Sequence, residues 1–107
     1  MQPTLAKSGQ GVPRITRLMA LAIKFQDMVD NNEVRYYADL ARLGYVTRAR
    51  LTQIMNLLLL APEIQEQLLH PASLTISISE RHVRRIVNSP DWADQRKVWA
   101  TLRLFSA

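Results

Sequence analysis

Apolar residues fall along the chain in a helical rhythm from Pro13 onward. Ile15, Leu18, Met19, Ala22, Phe25 and Val29 recur at three- and four-residue spacing, the signature of a helix with one buried face. Pro13 suits its first turn, where a missing N–H costs nothing, and Asn31-Asn32 supplies a stop. A second helix is predicted over 34–43, burying Val34 or Tyr37 together with Leu40, Ala41 and Leu43, with Gly44 free to take the positive φ of a C-terminal stop. Thr47 is the expected N-cap of a third helix, whose inward side holds Leu51, Ile54, Met55 and Leu58. Pro62 starts a fourth, with Glu63 against its positive end and Ile64, Leu68 and Leu69 inward; His70-Pro71 ends it.

Residues 75–79 alternate like a strand but are too short and isolated to pair. Ser77-Ile-Ser-Glu80 matches a capping box instead, with Ser77 or Ser79 as the cap of a helix that buries Val83, Ile86 and Val87. Ser89-Pro90-Asp91 opens the last helix in the order cap, proline, acid. Trp92 and Trp99 lie two turns apart, with Val98, Leu102 and Phe105 on or near the same side. Trp92 is assigned to the core, while the end over 102–105 is left between core closure and a dimer seam. The pattern predicts an all-α, compact bundle of five to six short helices in one domain over 13–107. Residues 1–12, with Pro3, Ser8, Gly9 and Gly11, are expected to form a flexible tail.

With 107 residues, 48% of them apolar, there is material for one core. No apolar run approaches the roughly 20 residues of a membrane span, and residues 1–10 lack the apolar block of a secretory signal. Without cysteine, disulfides and thiolate metal sites are excluded. The expectation is a cytoplasmic protein of the bacterial nucleoid, with no membrane partner. Fourteen Lys and Arg stand against nine Asp and Glu, a net charge of +5. The stretch 81–103 alone carries Arg81, Arg84, Arg85, Arg96, Lys97 and Arg103 against Asp91 and Asp94. That balance favours a polyanionic partner, of which nucleic acid is the commonest.

Residues 39–58 narrow the choice. They read as a short helix, a tight turn at 44–46 and a second helix after Thr47, and the whole helix-turn-helix is expected over about 36–60. Ala41 is small where the two helices must approach closely. At 100° per residue, Ala49, Gln53 and Asn56 fall opposite the inward side, with Thr52 beside them, Arg50 on the other flank and Arg48 in the first turn. Such a face is short, polar and able to read base edges: Gln and Asn pair bidentately with adenine, Arg with guanine. No acid occurs between Asp39 and Glu63 to repel a phosphate backbone. The expected base-reading set is therefore Arg48, Ala49, Arg50, Thr52, Gln53 and Asn56. Thr47, Arg14, Arg17, Arg81, Arg84 and Arg85 are the expected phosphate contacts, the last three forming one ridge opposite either DNA or Asp91 and Asp94.

Aligned without gaps, 39–58 resembles the helix-turn-helix of the ParB/KorB class of DNA-binding proteins through Leu40-Ala41, Val46-Thr47, Leu51, Ile54 and the leucine-rich end at 57–60. The likeness continues in Leu60-Ala-Pro-Glu-Ile-Gln and in Ile78-Ser-Glu, which resemble the starts of the family's next two helices, and covers about 60 residues. Two departures matter. The usual turn glycine falls one position early, at Gly44, and the arginine-rich nucleotide-binding box of full-length ParB does not occur, so CTP-dependent clamping is not implied. The chain is also similar to small helix-turn-helix proteins that accompany recombinases and other mobile elements. The resemblance implies a stand-alone double-stranded DNA-binding module, a regulator or accessory factor of a plasmid, phage or recombination system. Its implied partners are a homodimer mate on two half-sites and a recombinase or other mobile-element protein.

Catalysis is not expected. His70 and His82 are the only histidines and sit on different elements; there is no HExxH, no nucleophile with a base in register and no glycine-rich phosphate loop. No cofactor and no metal are expected. A protein-interaction adaptor built on the same helices is the alternative; RNA binding ranks below it, because stacking aromatics are sparse.

Overall fold

The computed structural model describes residues 12–44, 46–70 and 78–105. Within them run six α-helices: α1 (Arg14–Asp30), α2 (Tyr37–Gly44), α3 (Arg48–Met55), α4 (Pro62–Leu69), α5 (Glu80–Val87) and α6 (Trp92–Phe105), with a 3-10 turn at Asn56–Leu59. No strand occurs among the described residues. The all-helical architecture is the one the periodicity predicts. No helix there is long and apolar enough to cross a membrane. Most of the expected tail, Lys7 included, lies outside the described residues, as do the turn residue Tyr45, Ser77 and most of the alternating stretch at 75–79.

α1 is the spine. Its stripe of Ile15, Met19, Ala22 and Phe25 is buried, and buried Thr16 spends its hydroxyl on the Leu68 carbonyl at 2.5 Å, tying the start of α1 to the end of α4. Asn32 ends the segment at φ 61°, a left-handed conformation that asparagine tolerates better than most residues. The main core gathers Met19 and Ala22 with Ile54, Leu57, Leu60, Ile64, Leu68, Val83, Ile86 and Trp99. A smaller cluster of Phe25, Val34, Leu40, Ala41 and Leu51 lies between the C-terminal part of α1, α2 and α3. α3 thus bridges both clusters, Leu51 in one and Ile54 in the other, and this dual anchorage fixes which of its sides faces outward.

One helix start and two packing expectations are corrected. α2 begins at Tyr37 rather than at 34, and Val34 takes the buried place before it, leaving Tyr37 49% exposed. Leu43 is 59% exposed; three residues on from Leu40, it sits some 60° off the buried line, on a flank that no described element covers. Trp99, not Trp92, is the core tryptophan: Trp92 stays 44% exposed in the first turn of α6, at the rim beside Leu59, whose carbonyl accepts its indole N–H at 3.1 Å. Two turns deeper, the Trp99 indole N–H donates to Gln67 Oε1 at 2.9 Å. Leu102 packs half-buried against the core, whereas the Phe105 side chain lies outside the described residues.

Beside Thr16, a second buried polar residue carries no mark in the sequence pattern. Gln95 is fully buried on α6 and satisfies three backbone groups: Oε1 accepts from Ala61 N at 2.7 Å, and Nε2 donates to the carbonyls of Ser89 and Leu59 at 2.8 and 3.2 Å. It joins the connection ahead of α4 to the start of α6, where helix ends leave carbonyls and N–H groups unpaired.

Candidate nucleic-acid interface

α2 and α3 are joined by the three residues 45–47. The join is closed by Val46 N donating to the Ala41 carbonyl at 3.1 Å and by Thr47, extended at ψ 160°, whose hydroxyl accepts from Arg50 N at 3.0 Å. Ala41 is buried here, where α2 and α3 pack together. The N-cap expected at Thr47 is therefore present, and its hydroxyl is engaged by its own helix.

Outward from this join, Arg48, Ala49, Thr52, Gln53 and Asn56 are all exposed. Asn56 belongs to the 3-10 turn that continues α3. The Thr52 hydroxyl donates back to the Arg48 carbonyl at 3.0 Å. Two shallow hollows border the face. On one side Tyr37 joins Arg48, Thr52 and Asn56 around a cavity of about 310 Å³. On the other, Arg84 of α5 and Asn88 at its C-terminal cap join Gln53 and Asn56 around about 150 Å³.

Arg50 departs from the expected set. Rather than standing free on the flank, its guanidinium grips the Glu80 carboxylate with both terminal nitrogens, Nη1 to Oε2 and Nη2 to Oε1, the latter at 3.0 Å. Nη1 also donates to Gln53 Oε1 at 3.0 Å. The local absence of acid is thus true along the sequence but not in space: Glu80, thirty residues on, is brought against α3. Glu80 is a hub, with Arg84 at 3.5 Å and Arg14 at 4.0 Å as well as Arg50, and only 13% of its side chain is exposed.

Two of the expected phosphate contacts, Arg14 and Arg84, border this hub. Arg14, 74% exposed, and exposed Arg17 stay on the surface of α1, with Arg14 next to the α3–α5 junction. Arg81, Arg84 and Arg85 are all exposed and lie on one side of α5, within about 100° of arc. Arg84 lines the hollow shared with Gln53 and Asn56, whereas Arg81 and Arg85, both exposed, sit roughly 60–100° further round α5. The anion near Arg84 is Glu80 of its own helix, not Asp91 or Asp94. The capping box is also shifted: Ser79 caps α5, and its reciprocal partner is His82, whose Nδ1 accepts from Ser79 N at 3.2 Å, so Glu80 is free to face α3.

No protein-family model, curated protein or solved structure matches the chain. The site stands on its own geometry. Among the described residues no group of three or more His, Asp or Glu could hold a metal ion.

The Arg50 hydrogen bonds, reinforced by the charges of Arg84 and Arg14, hold the Glu80 carboxyl below its ordinary value of 4.5, and partial burial opposes them less strongly. Arg50 is raised in turn, chiefly by the same hydrogen bond. A carboxyl with a depressed folded-state pKa contributes stability above its unfolded value and loses it as pH falls through the folded value. The Glu80 contribution is therefore complete at neutral pH and fades below about pH 4.5. Thermal unfolding followed from pH 7 to pH 3 should show a steeper acid loss of Tm for the native chain than for Glu80→Gln. Parallel curves would show that the pair adds nothing to folding. The comparison isolates Glu80 from Glu63, whose carboxyl is also lowered, by the Arg96 hydrogen bond at 2.5 Å.

Proposed function

We propose that the protein binds double-stranded DNA sequence-specifically, using α2 and α3 as a helix-turn-helix and laying α3 in the major groove. The observation that carries this reading is the exposed face of α3, where Arg48, Ala49, Thr52, Gln53 and Asn56 stand clear of both core clusters and bear no acid. Arg48 and the polar trio reach base edges, Ala49 admits close backbone approach, and Arg84, Arg14 and Arg17 border the face as phosphate contacts. Thr47 acts as the cap. Arg81 and Arg85, exposed on the same side of α5 as Arg84, extend the phosphate contacts along that helix. The resemblance to the ParB/KorB class supports the same reading and suggests a regulator or accessory factor in the bacterial nucleoid, acting without catalysis, beside a recombinase or other mobile-element protein. A homodimer would match two half-sites.

An adaptor role is favoured by one observation, the exposure of Tyr36, Tyr37 and Leu43 on or beside α2. Salt separates the two readings. Binding to random duplex should be measurable at low salt and fall by about a hundredfold or more between 50 and 200 mM, as expected for several released counterions. No duplex binding at 50 mM would favour the adaptor. Within the DNA reading, Gln53→Ala should relax preference at one base position, whereas Arg84→Ala should weaken all sequences alike.

A further inference from the structure

An acidic side chain in the middle of a surface meant for phosphate needs a reason, and Glu80 has one. It is largely shielded, its two oxygens are spent on the Arg50 fork, and Arg50 in turn holds the side-chain oxygen of Gln53. Arginine has only donors, so whichever end of the Gln53 amide meets it must be the oxygen. The amide nitrogen, with two N–H groups, is then the end left for a partner outside.

We propose that Glu80 and Arg50 are positioning residues that fix Gln53 as a hydrogen-bond donor toward the groove, so that the base facing it is selected for acceptors. The inference rests on the DNA-binding reading and deepens it. Guanine offers two neighbouring acceptors on its major-groove edge, N7 and O6, and thymine offers O4, whereas adenine sets its one acceptor, N7, beside the N6 donor, which opposes a second N–H. The two-point contact of glutamine with adenine needs the amide oxygen and nitrogen to face the base edge together, whereas the Gln53 oxygen is turned toward Arg50 and keeps only its second lone pair for another donor. The chain thereby selects guanine first, and thymine after it, at a position where a free glutamine would choose adenine. Arg50 reads no base itself; its terminal nitrogens serve Glu80 and Gln53.

Selection of bound sites from a random duplex pool tests this with the full chain, Gln53→Ala, Glu80→Gln and Arg50→Lys. The native chain should enrich guanine or thymine at one position per half-site, and Gln53→Ala should flatten that position alone. Glu80→Gln releases the fork, and Arg50→Lys replaces it with a compact charge that cannot bridge both partners. Each should change the base preference there by about fivefold or more, toward adenine or toward no preference, with the other positions unchanged. Circular dichroism checks that each variant is folded; if Glu80→Gln loses helix, Arg50→Lys carries the same readout. Adenine enriched by the native chain at the Gln53-dependent position, or an unchanged preference in the folded variants, overturns the relay and leaves DNA binding standing. Absence of any enriched sequence together with no duplex binding at low salt overturns the DNA-binding reading, and the relay with it.

Discussion

Gln95→Leu is expected to lower Tm by at least about 10 °C, although it puts an apolar side chain of similar size into a fully buried position. Leucine leaves the Ala61 N–H and the Ser89 carbonyl without their partner, and the Leu59 carbonyl with only the Trp92 indole. Each buried polar group left unpaired costs about 1–3 kcal/mol, against a total stability of about 5–15 kcal/mol for a native domain. The hydrophobic gain of leucine offsets only part of this, because the amide's own carbons are already buried. Thermal unfolding by circular dichroism gives the result directly. A shift under about 3 °C would mean that water reaches these groups and that Gln95 is not the link between the start of α4 and the start of α6.

Ala49→Glu should have the opposite profile, an intact fold and lost binding. Ala49 is exposed and lies in the first turn of α3, where an acid interacts favourably with the helix dipole, so Tm should stay level or rise slightly. In the DNA complex proposed above, the added carboxylate would meet phosphate and base acceptors without a partner, and like-charge juxtaposition costs several kcal/mol. Duplex affinity at low salt should fall by more than about a hundredfold. Fluorescence anisotropy on a labelled duplex, beside a melting curve of the same sample, measures both halves. Retained affinity would remove the outer face of α3 from the interface, whatever else the protein binds.

The two variants probe different kinds of information in the chain. Gln95 offers no signal in sequence, since a glutamine inside a charged, alternating stretch of α6 looks like any solvated residue. Its role exists only because the connection before α4 and the Ser89 carbonyl converge on it from positions 34 and 6 residues away. The outer face of α3, by contrast, follows from local rules. Thr47 capping, Leu51 and Ile54 inward, and 100° per residue place Ala49, Gln53 and Asn56 outward before any neighbour is known. The tryptophans show where local rules stop. Trp92 and Trp99 share a side by helical phase, but depth along α6 depends on what stands opposite, and only Trp99 has core beneath it.

By itself, the sequence determined the all-helical architecture, the cap at Thr47 and the helix start at Pro62, and most of the inward stripes, because these depend on spacing, caps and prolines within a few residues; Leu43 and Trp92 are the exceptions. It also determined a basic surface without thiol chemistry. Only the tertiary structure decided that Glu80 would face Arg50 and that Gln53 would be held by its oxygen. Those outcomes turn on which flanks two helices present to each other thirty residues apart, and an exposed flank carries no periodic mark of the partner it will meet.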